Sequence, residues 1–218
     1  MKVTTDACIQ GAWTPVPPYA KRALDIGTGT GLLALMLAQR AKDMVIDAIE
    51  YDHEAAAQAK ENFAASPWSE RLRVIEGDVC EHKFANKYDL IISNPPFFNN
   101  SLLGDDDDKN MARHTVSLSY ESLLKVIGEN LSETGYASVL LPYPEYLLWK
   151  ELLMKGNWVE LGKLSVSHRP GATVKRVVCL FSKAKVMPLQ EGALVIQNEQ
   201  NQYTAEFSEL LGPFYLNL

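Results

Sequence analysis

The segment Asp25–Gly31 reads Asp-Ile-Gly-Thr-Gly-Thr-Gly and places three glycines directly after a short apolar run. That run, Ala23–Ile26, has the length and composition of a buried strand. The next residues, Leu32–Gln39, are rich in Leu, Met and Ala and predict a helix. Glycine lets the backbone adopt positive φ and approach a neighbouring group closely. A buried strand that turns through such a loop into a helix is typical of an α/β protein with a mostly parallel sheet.

The same alternation of strand and helix patterns continues along most of the chain. Strands are expected at Val45–Glu50, Leu72–Glu76, Tyr88–Ser93, Gly135–Leu141, Val159–Val166 and Val174–Phe181, more weakly at Ala193–Ile196, with helices at His53–Ala64, Ser119–Leu131 and Tyr146–Lys155. A hairpin-like pair of strands ends this series, so an antiparallel last strand is expected. The sequence predicts an α/β fold with a mostly parallel, seven-stranded sheet and helices on both faces. Its 218 residues suit one domain over 1–218.

The spacing of the three glycines narrows the choice of ligand. A dinucleotide-binding loop requires Gly-x-Gly-x-x-Gly, whereas here the third glycine comes one place early and Leu32 holds the expected position. The pattern Gly27-x-Gly29-x-Gly31, with Asp25 two residues before it, fits a nucleoside ligand that has no pyrophosphate. S-adenosylmethionine, an adenosine joined to a cationic amino acid, is such a ligand. A tight strand-to-helix turn that binds nothing is the alternative.

Two further acids lie at the ends of predicted strands. Glu50 ends the second strand, and Asp78 follows Gly77 after the third. Because the carboxyl ends of parallel strands meet at one edge of a sheet, these side chains are expected near the glycine loop. Glu50 is placed to accept hydrogen bonds from both ribose hydroxyls, and Asp78 to accept one from the adenine amine. Each acid alone is a weak signal, but acids at the ends of three successive strands favour a nucleoside site.

The tetrapeptide Asn94-Pro95-Pro96-Phe97 follows the apolar run Leu90–Ser93. Proline has no N–H, so the segment mainly offers acceptors: the Asn94 side-chain oxygen and the Pro95 carbonyl. An aromatic amine is a poor nucleophile because its lone pair is delocalised into the ring. Two acceptors that hold its N–H groups would direct the lone pair at a sulfonium methyl, while Phe97 stacks on the base. We therefore predict methylation of a planar amine.

The amine chemistry alone does not choose between acceptors. Adenine in tRNA, adenine in DNA and a glutamine side-chain amide would all suit it, although no separate DNA-reading domain fits in this length. Methylation of cytosine C5 would need a Pro-Cys nucleophile, and none of the three cysteines follows a proline. Outside the enzymes, a catalytically silent RNA-binding module on the same fold is the alternative. The intact glycine loop and tetrapeptide argue against it.

Charge is distributed unevenly along the chain. The formal net charge is -6, which argues mildly against binding of nucleic acid. Residues 155–185 nevertheless carry seven Lys and Arg and one acid, a net charge of +6. Within this stretch, His168-Arg169 and Lys175-Arg176 flank a Pro-Gly turn, and we predict that they contact an RNA backbone. Arg113-His114 is a further candidate for gripping phosphate or closing over the base.

Several other properties bound the class of protein. No apolar run approaches the roughly 20 residues that span a bilayer, and the first residues contain no apolar signal segment. The cysteines Cys8, Cys80 and Cys179 are few and widely separated, which predicts reduced thiols, no metal or disulfide framework and a cytoplasmic protein. A metal cofactor and a membrane partner are therefore not expected. The oligomeric state is left open.

These motifs together resemble the bacterial tRNA1(Val) (adenine(37)-N6)-methyltransferases over nearly the whole chain. Besides the glycine loop, the similarity includes Met1-Lys2-Val3, Thr5-Asp6, Gly11-Ala12-Trp13, Glu54-Ala55-Ala56, Ser66-Pro67-Trp68, Ser93–Phe98, Ala112–Thr115 and Phe214-Tyr215-Leu216. Members of this family usually carry a further aromatic and partly basic segment before the Met-Lys-Val match. We therefore expect that segment to be missing here, which would affect tRNA affinity more than chemistry.

The resemblance implies a Rossmann-like class I methyltransferase fold, S-adenosylmethionine as methyl donor and tRNA as substrate, modified at adenine 37. By the motifs of this family, the donor is held by Asp25, Gly27, Gly29, Gly31, Glu50, Asp78 and Asn94, with Thr5 and Asp6 flanking its methionine end. The target base is held by Asn94, Pro95, Pro96 and Phe97.

Overall fold

The computed structural model describes residues 3–95, 118–186 and 190–217. The strands are β1 (Arg22–Ile26), β2 (Val45–Glu50), β3 (Leu72–Glu76), β4 (Tyr88–Ser93), β5 (Leu131–Pro142), β6 (Val159–Ser167), β7 (Arg176–Ser182) and β8 (Gln190–Val195). The helices are α1 (Thr5–Trp13), α2 (Leu32–Arg40), α3 (His53–Ala64), α4 (Tyr120–Asn130), α5 (Tyr143–Lys155) and α6 (Ala205–Leu211). Within the described ranges, no helix is long and apolar enough to cross a membrane.

All eight described strands join one sheet in the order β3-β2-β1-β4-β5-β7-β6-β8. Strands β1 to β5 run parallel to one another, whereas β7 runs antiparallel to its two neighbours, β5 and β6. The predicted α/β class, the mostly parallel sheet and the antiparallel strand near the end of the chain are confirmed. Chain order reverses direction between β1 and β4, which is where α/β sheets of this kind open a crevice for ligands.

The sheet has eight described strands where seven were predicted, and the eighth overlaps the weaker strand pattern expected at Ala193–Ile196. The eighth strand, β8, pairs in parallel with β6 and forms one edge of the sheet. Only Leu194 is buried among its residues, so the strand lacks the run of apolar side chains that marks a buried strand in a sequence. The strand conformation of β8 is therefore stabilised by pairing with β6 more than by its own composition.

The first helix, α1, was not anticipated from the sequence either. It has nine residues and an interior glycine, Gly11, and both features weaken a helical pattern. Thr4 caps its start by accepting a hydrogen bond from the Ala7 N–H at 3.3 Å. A Cβ on Gly11 would lie 2.6 Å from the sulfur of Met36 in α2, so glycine allows the two helices to pack closely. Tertiary packing therefore stabilises α1.

Helices cover both faces of the sheet, as predicted. On one face, α4 and α5 bury an apolar cluster that includes Trp149 and Ile127. On the other face, α2 and α3 pack through Leu37 and Phe63, and α1 and α6 extend this layer toward β8. Successive side chains of a strand point to opposite faces of the sheet. Alternate residues of each central strand therefore pack against the helices on one face or the other.

Parallel pairing brings the functional segments to one edge of the sheet. Ile26 at the end of β1 pairs with Ile49 of β2 on one side and with Ser93 at the end of β4 on the other. Farther along the same edge, Arg176 at the start of β7 pairs with Pro142 at the end of β5. The glycine loop, the first two residues of the tetrapeptide (Asn94 and Pro95) and the basic turn after β6 therefore all open on this edge.

The conformation of the glycine loop predicts that two of its positions require glycine to different degrees. Gly27 and Gly31 both have left-handed φ, +69° and +87°. A Cβ on Gly31 would overlap the ring of Phe63, whereas a Cβ on Gly27 would meet nothing within 4 Å. Both Gly→Ala variants should lose about 1–2 kcal/mol because of the left-handed backbone. Gly31→Ala should lose roughly 1–3 kcal/mol more because of the overlap.

Denaturant unfolding without any donor present measures this difference, and Gly27→Ala is the matched control in the same loop. Equal losses of stability in the two variants would show that the Phe63 contact does not restrict position 31.

Candidate active site

A cavity of about 310 Å³ lies beyond the ends of β1, β2 and β3. Its polar lining includes the backbone of Gly27 and the carboxyl side chains of Glu50 and Asp78, three of the residues predicted to hold the donor. Apolar side chains, among them Ile49 and Val79, line the same space. A mostly apolar cavity with a few converging acceptors suits a nucleoside, whose flat base is apolar and whose edges and hydroxyls are donors.

Glu50 connects the glycine loop to the end of β2. Its Oε2 accepts a hydrogen bond from the Gly29 N–H at 2.7 Å, and its Oε1 accepts one from the Asp52 N–H at 3.0 Å. The N–H groups of Gly27 and Thr28 both donate to the Ile49 carbonyl. Each carboxylate oxygen has two lone pairs, so Glu50 can hold the loop and still accept from hydroxyl groups in the cavity.

Asp25 lies beneath the glycine loop and does not line the cavity. Its Oδ2 accepts hydrogen bonds from the Thr28 hydroxyl at 2.6 Å and from the Ala34 N–H at 3.2 Å, so it joins the loop to the start of α2. The residue is completely buried, and its Oδ1 has no partner among the described residues. Burial, with a smaller contribution from the charge of Glu50, raises the pKa of Asp25 to about 7.

Gly29 and Gly31 also do not line the cavity. Gly29 adopts a φ of +59° and presents its N–H to Glu50, and Gly31 forms the N-cap of α2. These two glycines therefore shape the loop, and Gly27 is the glycine of the three that borders the space for a ligand.

Asp78 is held at the rim of the cavity by the turn after β3. Its Oδ1 accepts a hydrogen bond from the Cys80 N–H at 2.8 Å. The preceding Gly77 donates its N–H to the Glu50 carbonyl at 2.9 Å, which ties this turn to the end of β2. The two acids are therefore part of one hydrogen-bonded rim.

Asn94 carries a buried side-chain oxygen that has no hydrogen-bond partner among the described residues. A buried acceptor without a donor costs about 1–3 kcal/mol. Asn94 is positioned by Ser93, whose hydroxyl donates to the Ile26 carbonyl at 2.9 Å, immediately before the glycine loop. Asn94 thus follows β4 next to the glycine loop, and the loop in turn borders the cavity at Gly27. Pro95 is buried beside it, and Pro96 and Phe97 lie outside the described residues.

Gln10 of α1 is a part of the site that the sequence analysis missed. Its completely buried side chain donates through Nε2 to the carbonyls of Ser93 at 3.0 Å and of Ser138 at 3.1 Å. Gln10 therefore links α1 both to β5 and to the Ser93 peptide, which immediately precedes Asn94. A glutamine inside the mostly apolar run Ala7–Ala12 was the only available signal, and it does not indicate which carbonyls the side chain reaches.

The predicted RNA-binding residues lie around the turn between β6 and β7. His168 and Arg169 follow the end of β6, and Lys175 precedes Arg176, which begins β7. Arg176 pairs with Asp6 of α1 at 3.0 Å. Arg113 and His114 lie outside the described residues.

Thr5 and Asp6 line smaller grooves beside this turn rather than the cavity that contains Glu50 and Asp78. Their contact with the methionine end of the donor stays a prediction, and it places that end outside the cavity of Glu50 and Asp78, toward the turn after β6.

The order of the sheet, the glycine loop and the acid-rimmed cavity define a class I S-adenosylmethionine-dependent methyltransferase. Residues 14–125 match the family model of the methyltransferase small domain. A predicted O-methyltransferase from Agrobacterium tumefaciens superposes with a TM-score of 0.74 at 17% identity, covering 95% of each chain. A glycopeptide N-methyltransferase solved with S-adenosylmethionine gives 0.59 at 11% identity, covering 83% of this chain and 87% of that one. These two likenesses support the fold.

Full-length relatives identify the family. The chain is 41% identical over 219 aligned residues to a tRNA1(Val) (adenine(37)-N6)-methyltransferase from Bacteroides thetaiotaomicron, covering all of this chain and 92% of the relative. A relative of the same name from Tolumonas auensis is 42% identical, with 91% of it covered. The chain belongs to the tRNA1(Val) (adenine(37)-N6)-methyltransferase family, which confirms the resemblance. It is an enzyme whose cofactor is S-adenosylmethionine.

Gln10 supports a prediction about catalysis. Gln10→Leu replaces the amide with an apolar side chain of similar size. The variant therefore loses the N–H donor that two carbonyls share. A misplacement of the Ser93–Asn94 peptide by about 1 Å should lower kcat for methyl transfer roughly 10- to 100-fold. The dissociation constant of the donor, measured by calorimetry, should change less than about twofold because Gln10 does not line the cavity.

Gln39→Leu is the matched control, because Gln39 donates to the Pro213 carbonyl at an exposed position far from the tetrapeptide. Equal losses of kcat in the two variants, or a parallel loss of donor affinity in Gln10→Leu, would contradict the positioning role.

Asp25 supports a prediction about pH. Its pKa in the folded protein, about 7, exceeds its ordinary value of 3.8, so the folded state retains a proton that the unfolded state has lost between these values. The contribution of Asp25 to stability is therefore largest at low pH and falls as pH rises toward 7. Asp25→Asn should remove on the order of 2 kcal/mol of the decline between pH 5 and pH 8.

Denaturant unfolding of the donor-free protein at pH 5 and pH 8 measures the effect. Asp89→Asn serves as a control, since Asp89 accepts from exposed and half-buried backbone N–H groups at the opposite end of β4. An unchanged pH dependence in Asp25→Asn would show that Asp25 is already ionised near pH 5.

Proposed function

We propose that this chain transfers the methyl group of S-adenosylmethionine to the N6 amine of adenine 37 in tRNA1(Val). The observation that carries the chemistry is the buried Asn94 oxygen, which has no partner among the described residues and follows the Ser93 that bonds to the start of the glycine loop. The relatives that share the whole length of the chain bear the name of this activity, and they supply the identity of the tRNA and of the nucleotide.

The cavity would hold the adenosine part of the donor. Glu50 would accept hydrogen bonds from the ribose hydroxyls, and Asp78 would accept one from the adenine amine. Gly27 has no side chain, so its backbone can lie against the ligand. Asp25, Gly29 and Gly31 would act indirectly, by fixing the shape of the loop. When bound, S-adenosylmethionine supplies an electrophilic methyl group on a positively charged sulfur.

Asn94 would bind and orient the target amine. Its Oδ1 and the Pro95 carbonyl would each accept one N–H of the N6 group, which leaves the nitrogen lone pair directed at the methyl carbon. The new N–C bond forms as the C–S bond breaks, and its electron pair stays on sulfur. The methylated nitrogen then loses one proton to water, so no side chain is needed as a general base. Positioning and electrostatics supply the rate enhancement.

The tRNA backbone would follow the basic turn between β6 and β7, at His168, Arg169, Lys175 and Arg176. By the resemblance to the family, Pro96 and Phe97 would complete the base pocket, Arg113 and His114 would lie near the RNA, and Thr5 and Asp6 would approach the methionine end of the donor. We further propose that residues 1–218 act as one domain and that the enzyme works in the cytoplasm, where its tRNA substrate is modified.

The deciding experiment offers the purified protein methyl-labelled donor with separate pools of tRNA, DNA and release-factor protein. We expect label in the tRNA pool, carried by N6-methyladenine at position 37 of tRNA1(Val). Asn94→Ala should reduce transfer at least 100-fold, since the amine loses its acceptor in the transition state. Donor affinity of this variant should stay near that of the wild type.

Asn130→Ala provides a control for loss of an asparagine, because Asn130 donates only to the Val126 carbonyl at the end of α4. Label confined to DNA or to the release factor would reject the tRNA assignment and leave the amine chemistry. Full activity of Asn94→Ala would reject the role of Asn94 itself.

A further inference from the structure

Two small grooves adjoin each other beside the basic turn. They have volumes of about 290 Å³ and 370 Å³ and share the lining residues Asp6, His168 and Ile196. Lys175 and Arg176 line the first groove, and Tyr203 lines the second. Neither groove includes residues of the cavity that contains Glu50 and Asp78. The two adjoining spaces are together called the β6–β7 groove.

The β6–β7 groove lies on the same edge of the sheet as Asn94. Arg176 pairs with Pro142 at the end of β5, and β5 lies beside β4, whose last residue precedes Asn94. Neighbouring strands are about 4.8 Å apart, so the groove begins about 10 Å across the sheet from the line of β4. A nucleotide next to a base held at Asn94 can span such a distance.

Tyr203 offers a rigid aromatic surface in this groove. The residue is 47% exposed, yet its ring stacks on the buried ring of Phe207, with centroids 4.6 Å apart and planes inclined by 19°. The backbone is fixed as well, because Tyr203 forms a bridge with Gln197 and Thr204 donates its N–H to the Ile196 carbonyl. An aromatic ring held in place on one face, with the other face accessible, is the arrangement that stacks unpaired bases.

Basic side chains lie on the neighbouring part of the groove. Arg169 donates to the side-chain oxygen of Asn201, which places its guanidinium on the turn that leads to Tyr203. His168 and Lys175 are exposed at the groove. Asp6 is the single carboxylate among the described lining residues, and Arg176 neutralises it by the 3.0 Å pair. The groove can therefore accept a phosphate beside a stacked base.

We propose that the β6–β7 groove binds an unpaired nucleotide next to the target adenine, with its base stacked on Tyr203 and its phosphate near His168 and Lys175. This inference rests on the proposed tRNA substrate. It gives the enzyme a second contact with the anticodon loop, separate from the pocket that holds the reacting base.

The test measures binding of fluorescently labelled tRNA1(Val) by anisotropy, and methyl transfer in parallel. Tyr203→Ala and Tyr203→Leu should weaken tRNA binding and raise the KM for tRNA about 5- to 100-fold, because each removes one stacking surface. Leucine retains apolar packing on Phe207, so loss in this variant reports stacking rather than folding. Tyr203→Phe should bind tRNA like the wild type, and the donor dissociation constant should not change in any of the three.

Two further variants sharpen the result. Tyr19→Ala is the matched control, since Tyr19 is 51% exposed and lies before β1, at the opposite edge of the sheet. It should leave tRNA binding unchanged. Lys175→Ala should lower the slope of log affinity against log salt by about one, as expected for the loss of one phosphate contact.

Unchanged tRNA affinity in both Tyr203→Ala and Tyr203→Leu would overturn the inference while leaving the proposed function intact. A loss of donor affinity in these variants would also overturn it, and would assign the groove to the methionine end of the donor. If the wild type methylates DNA or protein and does not bind tRNA, the proposed function fails first, and the groove loses its ligand with it.

Discussion

Two hydrogen bonds at Ser93 hold the end of β4 against its surroundings. The Ser93 hydroxyl donates to the Ile26 carbonyl at the start of the glycine loop, and the Ser93 carbonyl accepts from Gln10 of α1. Methyl transfer requires the attacking nitrogen and the methyl carbon to approach within roughly 3–3.5 Å in line. Because Ser93 joins the segment that would bind the amine to the loop that would bind the donor, their relative position depends on this residue.

The buried side-chain oxygens that lack a hydrogen-bond partner among the described residues all lie near this junction. Asp25 Oδ1, Gln10 Oε1 and Asn94 Oδ1 are all buried without partners among the described residues. By contrast, the buried Asp47 at the other end of the sheet accepts from the Tyr88 hydroxyl at 2.8 Å and pairs with Arg22 at 3.3 Å. The open acceptors at the junction therefore carry an unfavourable desolvation cost that the carboxylate of Asp47 does not. A ligand that donates to Asn94 would recover part of it.

The sequence predicted the parts of the site that depend on local patterns. Val45–Glu50, Leu72–Glu76 and Tyr88–Ser93 are observed with the predicted bounds, because each is an apolar run followed by a polar or glycine residue. Parallel topology then brought Glu50 and Asp78 to one cavity. The burial of Asp25 could not be foreseen, since an acid before a glycine loop can face the ligand or the core, and only packing of α2 decides between them.

Contacts between distant segments account for what the sequence did not indicate. Gln10 reaches Ser93 and Ser138 across 83 and 128 positions of chain. The surface offered by Tyr203 depends on its stacking with Phe207, and the start of β8, before the strand expected at Ala193–Ile196, depends on its pairing with β6. No local periodicity encodes these relations, because each arises only when the sheet has assembled.

The two halves of the sheet would bind different ligands, and they also differ in charge. Strands β1, β2 and β3 frame the cavity for the nucleoside with acids, whereas β6 and β7 fall within residues 155–185, whose net charge is +6 in a chain of -6. The remaining residues therefore sum to -12. An acidic body repels the RNA backbone everywhere except along the basic half, so long-range electrostatics would orient the tRNA before contact. In the proposed complex, a loop bound at β6–β7 would reach Asn94 at the end of β4, between the two halves, and its amine would face the methyl donor there.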